Sequence, residues 1–259
     1  RMGSAMTRRL RETGTPVTVW NRNTERCETA RRSGAGVAAD PSSAVADADV
    51  VLVMVSDGRA VAEVLREAGP AVPESAVVVQ MSTIAPDETR ALADNHPELA
   101  LVEAPVAGSV PQVLAGSLKV LAAGDGDRLE CARPVLDKLG AVQHCGELGD
   151  GSAAKLVVNG SMIAVGVLLA ASVSLARDLG FDVESAKQVL AGTVLGPVLE
   201  RYDPGGGDFP IYLAAKDVRL AAAAAADPAV FEAAAAHLEG IAATDPQAGL
   251  WTVVAKALS

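Results

Sequence analysis

The sequence is poor in aromatic residues and in positive charge, and both shortages argue against nucleic-acid binding. Phe, Trp and Tyr make up 3% of the 259 residues, too few for the stacking surfaces that bind single strands. The formal net charge is −10, whereas the phosphates of a duplex require a basic surface. We therefore expect no nucleic-acid partner.

Cysteines and histidines are also scarce. Cys27, Cys131 and Cys145 form no paired motif, and the three histidines are scattered, so neither a disulfide framework nor a metal site is expected. Free thiols are typical of a reducing compartment, and no signal peptide is recognisable. We expect a cytoplasmic protein that binds no metal.

One run lacks charge altogether. Residues Leu156 to Ala176 contain no charged side chain, and a run of this length can span a bilayer. It includes polar residues such as Asn159, and no second run or aromatic belt accompanies it. We predict a core helix buried on all sides, and no membrane partner.

The first half of the chain alternates between β-rich and helical patterns. The run from Asp49 to Val55 is typical of a parallel strand covered on both faces. Asp40-Pro41 and Pro86 predict helix starts, and a further helix is predicted over Thr24–Ser33. This alternation predicts a Rossmann-type doubly wound α/β domain over residues 1–147. The predicted strands are Pro16–Trp20, Asp49–Val55, Ala76–Gln80, Ala100–Glu103, Leu118–Ala122 and Ala141–Gln143.

The second half is helical in pattern. Gly180 is placed to end the long apolar helix, Asp182 can cap the next helix, and Asp203–Asp208 reads as a break. We predict an all-α domain over residues 148–259, joined to the first domain through the long helix and used for substrate binding and dimerisation.

The opening residues, RMGSAM, place a glycine just before a helical pattern. In a dinucleotide-binding fold, the turn G-x-G-x-x-G joins the first strand to the first helix and holds a pyrophosphate. Gly3 fits the third glycine, and Met2 lies beside it. We expect the first strand and the first two glycines upstream of this chain; a plain helix start is the alternative.

The end of the predicted strand Pro16–Trp20 indicates which cofactor the domain binds. The fold places a residue that reads the ribose there, and an acid would accept the 2′-hydroxyl of NAD. Here the segment is Asn21-Arg22-Asn23, without an acid. Arg22 can pair with a 2′-phosphate, which favours NADP(H) over NAD(H). The alternative is a solvated surface arginine.

With these motifs the chain resembles the β-hydroxyacid dehydrogenases, a family that includes 3-hydroxyisobutyrate dehydrogenases and glyoxylate/succinic semialdehyde reductases. The resemblance covers nearly the whole chain, and the order and spacing of its stretches are specific. These stretches are RMGSAM, WNRN, MSTIAP (Met81–Pro86), EAPVAGSVPQVLAGSL (Glu103–Leu118), GDGSAAKLVVN (Gly149–Asn159) and FPIYLAAKD (Phe209–Asp217).

The resemblance implies an NADPH-dependent oxidoreductase acting on a small aldehyde, oxo acid or β-hydroxy acid. It identifies Lys155 as the proton donor or acceptor of the hydride transfer. Asn159, four residues later and on the same helix face, would hold the substrate or the lysine. From composition alone, Lys155 is more often an end residue whose amine reaches solvent.

The remaining site residues also come from the resemblance. Thr83 would lie near both nicotinamide and substrate. Val55 and Ser56 would line the cofactor, together with Asn21, Arg22, Asn23, Met2 and Gly3. Lys216 and Asp217 would close over cofactor and active site, and Phe209 opens the same stretch. Ordinary turn, cap or surface roles are the alternatives. Relatives of this type also imply a homodimer or tetramer.

The carboxylate-binding turn departs from the family pattern. Ala107 stands where the family typically has a serine. Gly108 and Ser109 can still offer backbone N–H groups to an anionic substrate, and Ser109 adds a hydroxyl, but Ala107 offers none. A larger or less polar carbonyl substrate therefore becomes plausible.

Two other functions stay open. Imine reductases share the architecture but usually lack the lysine found at Lys155. A non-catalytic dinucleotide-binding module, kept for assembly or sensing, is the second alternative.

Overall fold

A computed structural model of the chain describes residues 1–200, 209–245 and 248–250. Contacts within the chain divide it into two compact units, Arg1–Lys155 and Leu156–Ser259. The domain boundary placed after residue 147 stays a prediction. The predicted break at Asp203–Asp208 lies outside the described residues.

The first unit contains three small sheets. One pairs β1 with β2 in parallel, and a second is the parallel set β3-β4-β5. In the third, β7 pairs antiparallel with β6 and parallel with β8. The strands are β1 Thr18–Val19, β2 Gly36–Val37, β3 Val50–Val53, β4 Val77–Gln80, β5 Ala100–Glu103, β6 Val106–Ala107, β7 Leu118–Ala122 and β8 Gly140–His144.

Helices connect these strands in the first unit and form most of the described part of the second. Short 3-10 turns occupy Thr24–Cys27 and Gly69–Ala71. The helices are α1 Met2–Glu12, α2 Glu28–Arg32, α3 Pro41–Val45, α4 Gly58–Ala68, α5 Pro86–Asn95, α6 Val110–Ala115, α7 Gly126–Leu136, α8 Asp150–Asp178, α9 Val183–Ala191, α10 Gly196–Leu199, α11 Ile211–Ala224 and α12 Ala229–Thr244.

The predicted doubly wound α/β class is confirmed. In that fold the first strand lies between the second and the fourth. A sheet without this strand is expected in two parallel pieces, and the pair β1-β2 and the three-stranded set β3-β4-β5 are such pieces. Among the described residues no strand precedes α1.

The core of the first unit covers both faces of the central strands. Successive residues of a strand point to opposite faces. Val77 and Val79 accordingly pack with Met6 and Leu10 of α1, whereas Val78 packs in a separate cluster on the other face. Every residue of β4 is buried. This two-sided burial explains why its sequence is an apolar run.

Several local predictions are confirmed, and several elements were missed. Asp40 caps α3, with the amide of Ser43 2.8 Å from its Oδ1. The bounds predicted for β5 and β7 are those observed. The helix predicted over Thr24–Ser33 is split into a 3-10 turn and α2. Among the strands and α-helices of the first unit, β2, β6, α6 and α7 had no prediction.

The second unit is helical, as predicted. Gly180 adopts φ 69° after the end of α8, and Asp182 caps α9 by accepting from the amide of Ser185 at 2.8 Å. Ile163 of α8 packs with Ile211 and Leu238 of α11 and α12. Apart from the bridge between Pro210 and Gly249, the described part of this unit forms no β-structure.

The prediction that the long apolar helix is buried on all sides is wrong for the single chain. By length and hydropathy α8 could cross a membrane. Only 39% of its most apolar 18-residue stretch is buried in the protein, which does not fit a helix buried on all sides. Leu169 and Val173 are buried, whereas Leu168 and Leu175 are more than half exposed. The chain therefore covers one face of α8 and leaves an apolar stripe on the other.

Candidate active site

Lys155 is a buried lysine near the start of α8. The residue is only 8% exposed, and its Nζ donates a hydrogen bond of 2.7 Å to the carbonyl oxygen of Val106. Val106 opens β6, in the stretch predicted to bind the substrate carboxylate. The structure thus brings the predicted proton donor to the predicted substrate turn.

The turn after β6 requires glycine at position 108. Gly108 has φ +135°, and a Cβ there would lie 2.6 Å from Cδ2 of Leu118 and 3.2 Å from Cβ of Gln112. Residues that carry a side chain rarely adopt this backbone conformation. The peptide units on either side of Gly108 are therefore held close to β7 and α6.

Ser109 has donors that are already engaged. It is the N-cap of α6, and Gln112 Oε1 accepts both its N–H, at 2.9 Å, and its hydroxyl, at 2.7 Å. These are the two groups predicted to meet an anionic substrate, and the structure gives both to Gln112. Gln112 was not among the predicted site residues, although Ser followed three residues later by Gln is a capping-box signature.

A buried polar group joins the ends of β3 and β4. Ser82 Oγ accepts the N–H of Val55 at 2.9 Å. The side-chain amide of Gln80 donates to the carbonyl of Ser82 at 3.0 Å, and its oxygen accepts the Ser82 N–H. Gln80 and Ser82 are fully buried. They fix the backbone beside the predicted residues Val55 and Thr83. Neither Gln80 nor Ser82 was predicted as a site residue.

The loops at the carboxyl ends of these strands carry the other predicted residues. Thr83 directly follows Ser82 and is half-buried. Ser56 is exposed and donates to Asp57 Oδ2 at 2.7 Å. Asp57 in turn caps α4 through the amide of Ala60, at 2.9 Å. Ligands of doubly wound sheets bind at this edge.

The loop after β1 displays Arg22. Asn21 Oδ1 accepts the N–H of Asn23, and Asn23 Oδ1 accepts the N–H of Glu25, both at 3.0 Å. These turns leave the Arg22 side chain 73% exposed, with its Nη2 3.1 Å from Oε2 of Glu63. A guanidinium in this position fits a phosphate group, with Glu63 as a competing partner.

The start of α1 also fits an anion. The first turn contains no acidic residue, so no side chain there opposes the positive end of the helix dipole. A Cβ at Gly3 would meet nothing within 4 Å, and Met2 packs partly against the core. The close strand contact expected of a third glycine is not seen among the described residues.

The predicted residues of the second unit form a polar cluster. Asp217 is buried; its Oδ2 accepts from Nδ2 of Asn159 at 2.6 Å, and its Oδ1 lies 2.7 Å from Nζ of Lys216. Phe209 is half-buried and packs against the core of this unit. Asp217 therefore holds Asn159 and Lys216 in place. The predicted contacts of these residues with substrate and cofactor stay predictions.

The doubly wound sheet, the helical second unit and the buried lysine at the head of α8 define a two-domain protein of the nicotinamide-dinucleotide-binding class. The model of the NAD binding domain of 6-phosphogluconate dehydrogenase matches residues 1–149. The chain belongs to the β-hydroxyacid dehydrogenase family.

Individual relatives agree with this assignment. A Mycobacterium tuberculosis protein named a probable 3-hydroxyisobutyrate dehydrogenase is 32% identical over 195 residues, which are 74% of this chain and 66% of that protein. The matched part is thus just under two thirds of its length. Glyoxylate/succinic semialdehyde reductase 1 of Arabidopsis thaliana is 31% identical over 249 residues, 88% of this chain and 84% of that protein.

A solved structure extends the similarity over the whole chain. Mycobacterium tuberculosis 3-hydroxyisobutyrate dehydrogenase, solved with L-serine, has a TM-score of 0.82 and 27% identity. The comparison covers 98% of this chain and 95% of the solved one.

Proposed function

We propose that this protein is an NADPH-dependent oxidoreductase. It transfers a hydride to or from a small aldehyde, oxo acid or β-hydroxy acid, with Lys155 as proton donor or acceptor. The observation that carries the proposal is the buried Lys155 ammonium, 2.7 Å from the carbonyl of Val106 and beside the Gly108 turn. Membership of the β-hydroxyacid dehydrogenase family supports the same reaction class.

The bound cofactor supplies the hydride chemistry. The residues of this chain orient the substrate and manage its proton. Lys155 stabilises the negative charge that develops on the carbonyl oxygen and gives it a proton, and in the oxidising direction the same amine accepts the proton. Burial strengthens this electrostatic interaction, because little water competes. The Val106 carbonyl holds the ammonium in one orientation.

A substrate panel tests the reaction class. We expect purified protein to consume NADPH with a small aldehyde or an oxo acid. Consumption with cyclic imines alone would make the protein an imine reductase. Tight NADPH binding without turnover on any member of the panel would make it a non-catalytic module.

We propose that NADP(H) is preferred because Arg22 is displayed where the 2′-phosphate would lie. The Arg22→Ala variant is expected to raise the Kd for NADPH about tenfold, since a hydrogen bond to a charged group contributes about 1.5 kcal/mol or more. Fluorescence titration measures the Kd, with Arg128→Ala as a control on an exposed arginine of α7. An equal loss of NADH affinity would contradict a role in reading the phosphate.

We propose that the protein assembles into a homodimer or tetramer through the exposed stripe of α8. Val157, Leu168 and Leu175 on α8, and Leu179 just after its end, are between 54 and 74% exposed, and exposed apolar patches mark interaction sites. Light scattering is expected to show an oligomer that Leu175→Asp dissociates and Val230→Asp, on α12, leaves intact. A monomeric wild-type chain would contradict this. Such an assembly covers the stripe with protein, in keeping with the cytoplasmic location we propose.

A further inference from the structure

Glu103 is a fully buried carboxylate at the end of β5. Its Oε1 accepts the N–H groups of Gly149 and Gly151, at 2.6 and 3.0 Å. Its Oε2 accepts the N–H of Ser152 at 3.0 Å and also the hydroxyl of Ser152. All four donors lie at or just before the first turn of α8, so one distant side chain satisfies this helix end.

The physical reason for this arrangement is the chemistry of a helix N-terminus. The first N–H groups of a helix have no partner within it, and their dipoles favour a negative charge. Burial raises the pKa of Glu103, and the hydrogen bonds from Ser152, Gly149 and Gly151 oppose that rise. A Cβ at Gly151 would lie 3.1 Å from the Glu103 carboxyl carbon and 2.6 Å from the carbonyl of Leu121. Position 151 therefore has no room for a side chain.

The same short segment also holds Lys155. Glu103 binds the first turn of α8, and three residues further along the chain the carbonyl of Val106 accepts from Nζ of Lys155. Lys155 follows Ser152 by three residues, about one helical turn. The segment Glu103–Val106 therefore holds both the head of α8 and the amine that the helix carries.

A second contact supports the head of α8. The hydroxyls of Thr89 and Ser152 are 2.9 Å apart and both residues are buried. Thr89 belongs to α5, which begins shortly after the β4 end that carries Thr83. The head of α8 is thus tied both to the segment Glu103–Val106 and to α5, the helix that follows Thr83.

We propose that Glu103 is a positioning residue for the proton-transferring lysine. By accepting the amides of the first turn, it sets the height and rotation of α8 so that Nζ of Lys155 lies at the substrate turn. The inference rests on the function proposed for Lys155. It adds a residue that acts on the reaction through the helix and does not touch the substrate.

The Glu103→Gln variant tests the inference. Glutamine keeps the shape of the side chain, but one end becomes an NH₂ group that cannot accept from the α8 donors. A displacement of about 1 Å at a reacting group can cost about a hundredfold in rate. We expect kcat to fall by about that factor, with KM and the Kd for NADPH changed less than about threefold. Glu98→Gln, an exposed glutamate before β5, is the control.

A double-mutant cycle separates positioning from general destabilisation. If Glu103 acts through Lys155, Glu103→Gln causes no further loss of kcat in a Lys155→Met background. Losses that multiply would overturn the inference. Normal turnover by Lys155→Met alone would instead overturn the proposed function, so the two failures are distinguishable.

Two further measurements cover the case in which Glu103→Gln fails to fold. Ser152→Ala removes one hydroxyl donor and keeps the charge of Glu103, and we expect a smaller fall in kcat in the same direction. Amide hydrogen exchange of residues 149–152, measured without substrate or cofactor, is expected to accelerate in this variant and in any folded Glu103→Gln protein. Unchanged exchange and unchanged kcat in Ser152→Ala would overturn the inference.

Discussion

Replacing Lys155 with methionine is expected to lower kcat by about 10²- to 10⁴-fold, the range that a positioned acid or base contributes. Methionine has a similar length and fills the same buried volume, but it carries neither charge nor proton. The hydrogen bond to Val106 is lost, and with it the stabilisation that we propose Lys155 gives to the developing charge on the carbonyl oxygen. The Kd for NADPH is expected to stay within about threefold of wild type, because binding does not require the proton.

The matched control for this variant is Lys187→Met. Lys187 lies on α9 and pairs with Glu184 at 3.2 Å, a surface ion pair of the kind that contributes little to stability. Steady-state and single-turnover kinetics with the best substrate of the panel provide the comparison. Turnover by Lys155→Met at the wild-type rate would rule out Lys155 as the proton donor.

Introducing a serine at position 107 is expected to lower KM for substrates with a carboxylate by about tenfold or more. Ala107 is half-buried in β6, next to the carbonyl that holds Lys155. The neighbouring Ser109 gives both its donors to Gln112, so the turn lacks a hydroxyl for an anion. A hydrogen bond to a charged group contributes about 1.5–3 kcal/mol, which corresponds to about a 10- to 100-fold change in affinity.

Comparing two substrates shows whether the Ala107→Ser effect is specific. KM is measured for an oxo acid and for an uncharged aldehyde of similar size, with Ala115→Ser on α6 as the control. We expect only the oxo acid to gain. Equal changes for both substrates would mean that position 107 does not read the carboxylate.

The parts of the fold that depend on neighbouring residues could be predicted from the sequence. Asp40 and Asp182 each accept an amide three residues away, and Gly180 ends α8 with a positive φ. The apolar run Asp49–Val55 identified β3 as a strand covered on both faces, with Val50 and Leu52 in one cluster and Val51 and Val53 in the other. Such signals are local, because a cap or a repeat of side chains needs only a few consecutive residues.

The elements that were not predicted, and the wrong burial prediction for α8, have physical reasons as well. β6 contains two residues and owes its form to pairing with β7, in the register Val106 opposite Val120. α7 begins at the Asp125 cap and contains Pro134, so its pattern is weak. Leu168 is exposed, although the long helix α8 was predicted to be buried on all sides. An apolar side chain favours burial, but it does not specify whether its own chain or another one covers it.

The class of fold, the family and the candidate proton donor could be predicted without coordinates, since they depend on residue type, order and spacing. The way in which that donor is held depends on contacts between distant parts of the chain. Glu103 meets its partners across 46 to 49 positions of the chain, and Lys155 reaches Val106 across 49. A buried carboxylate needs several donors at once, and folding brings those donors within reach where no local pattern marks them.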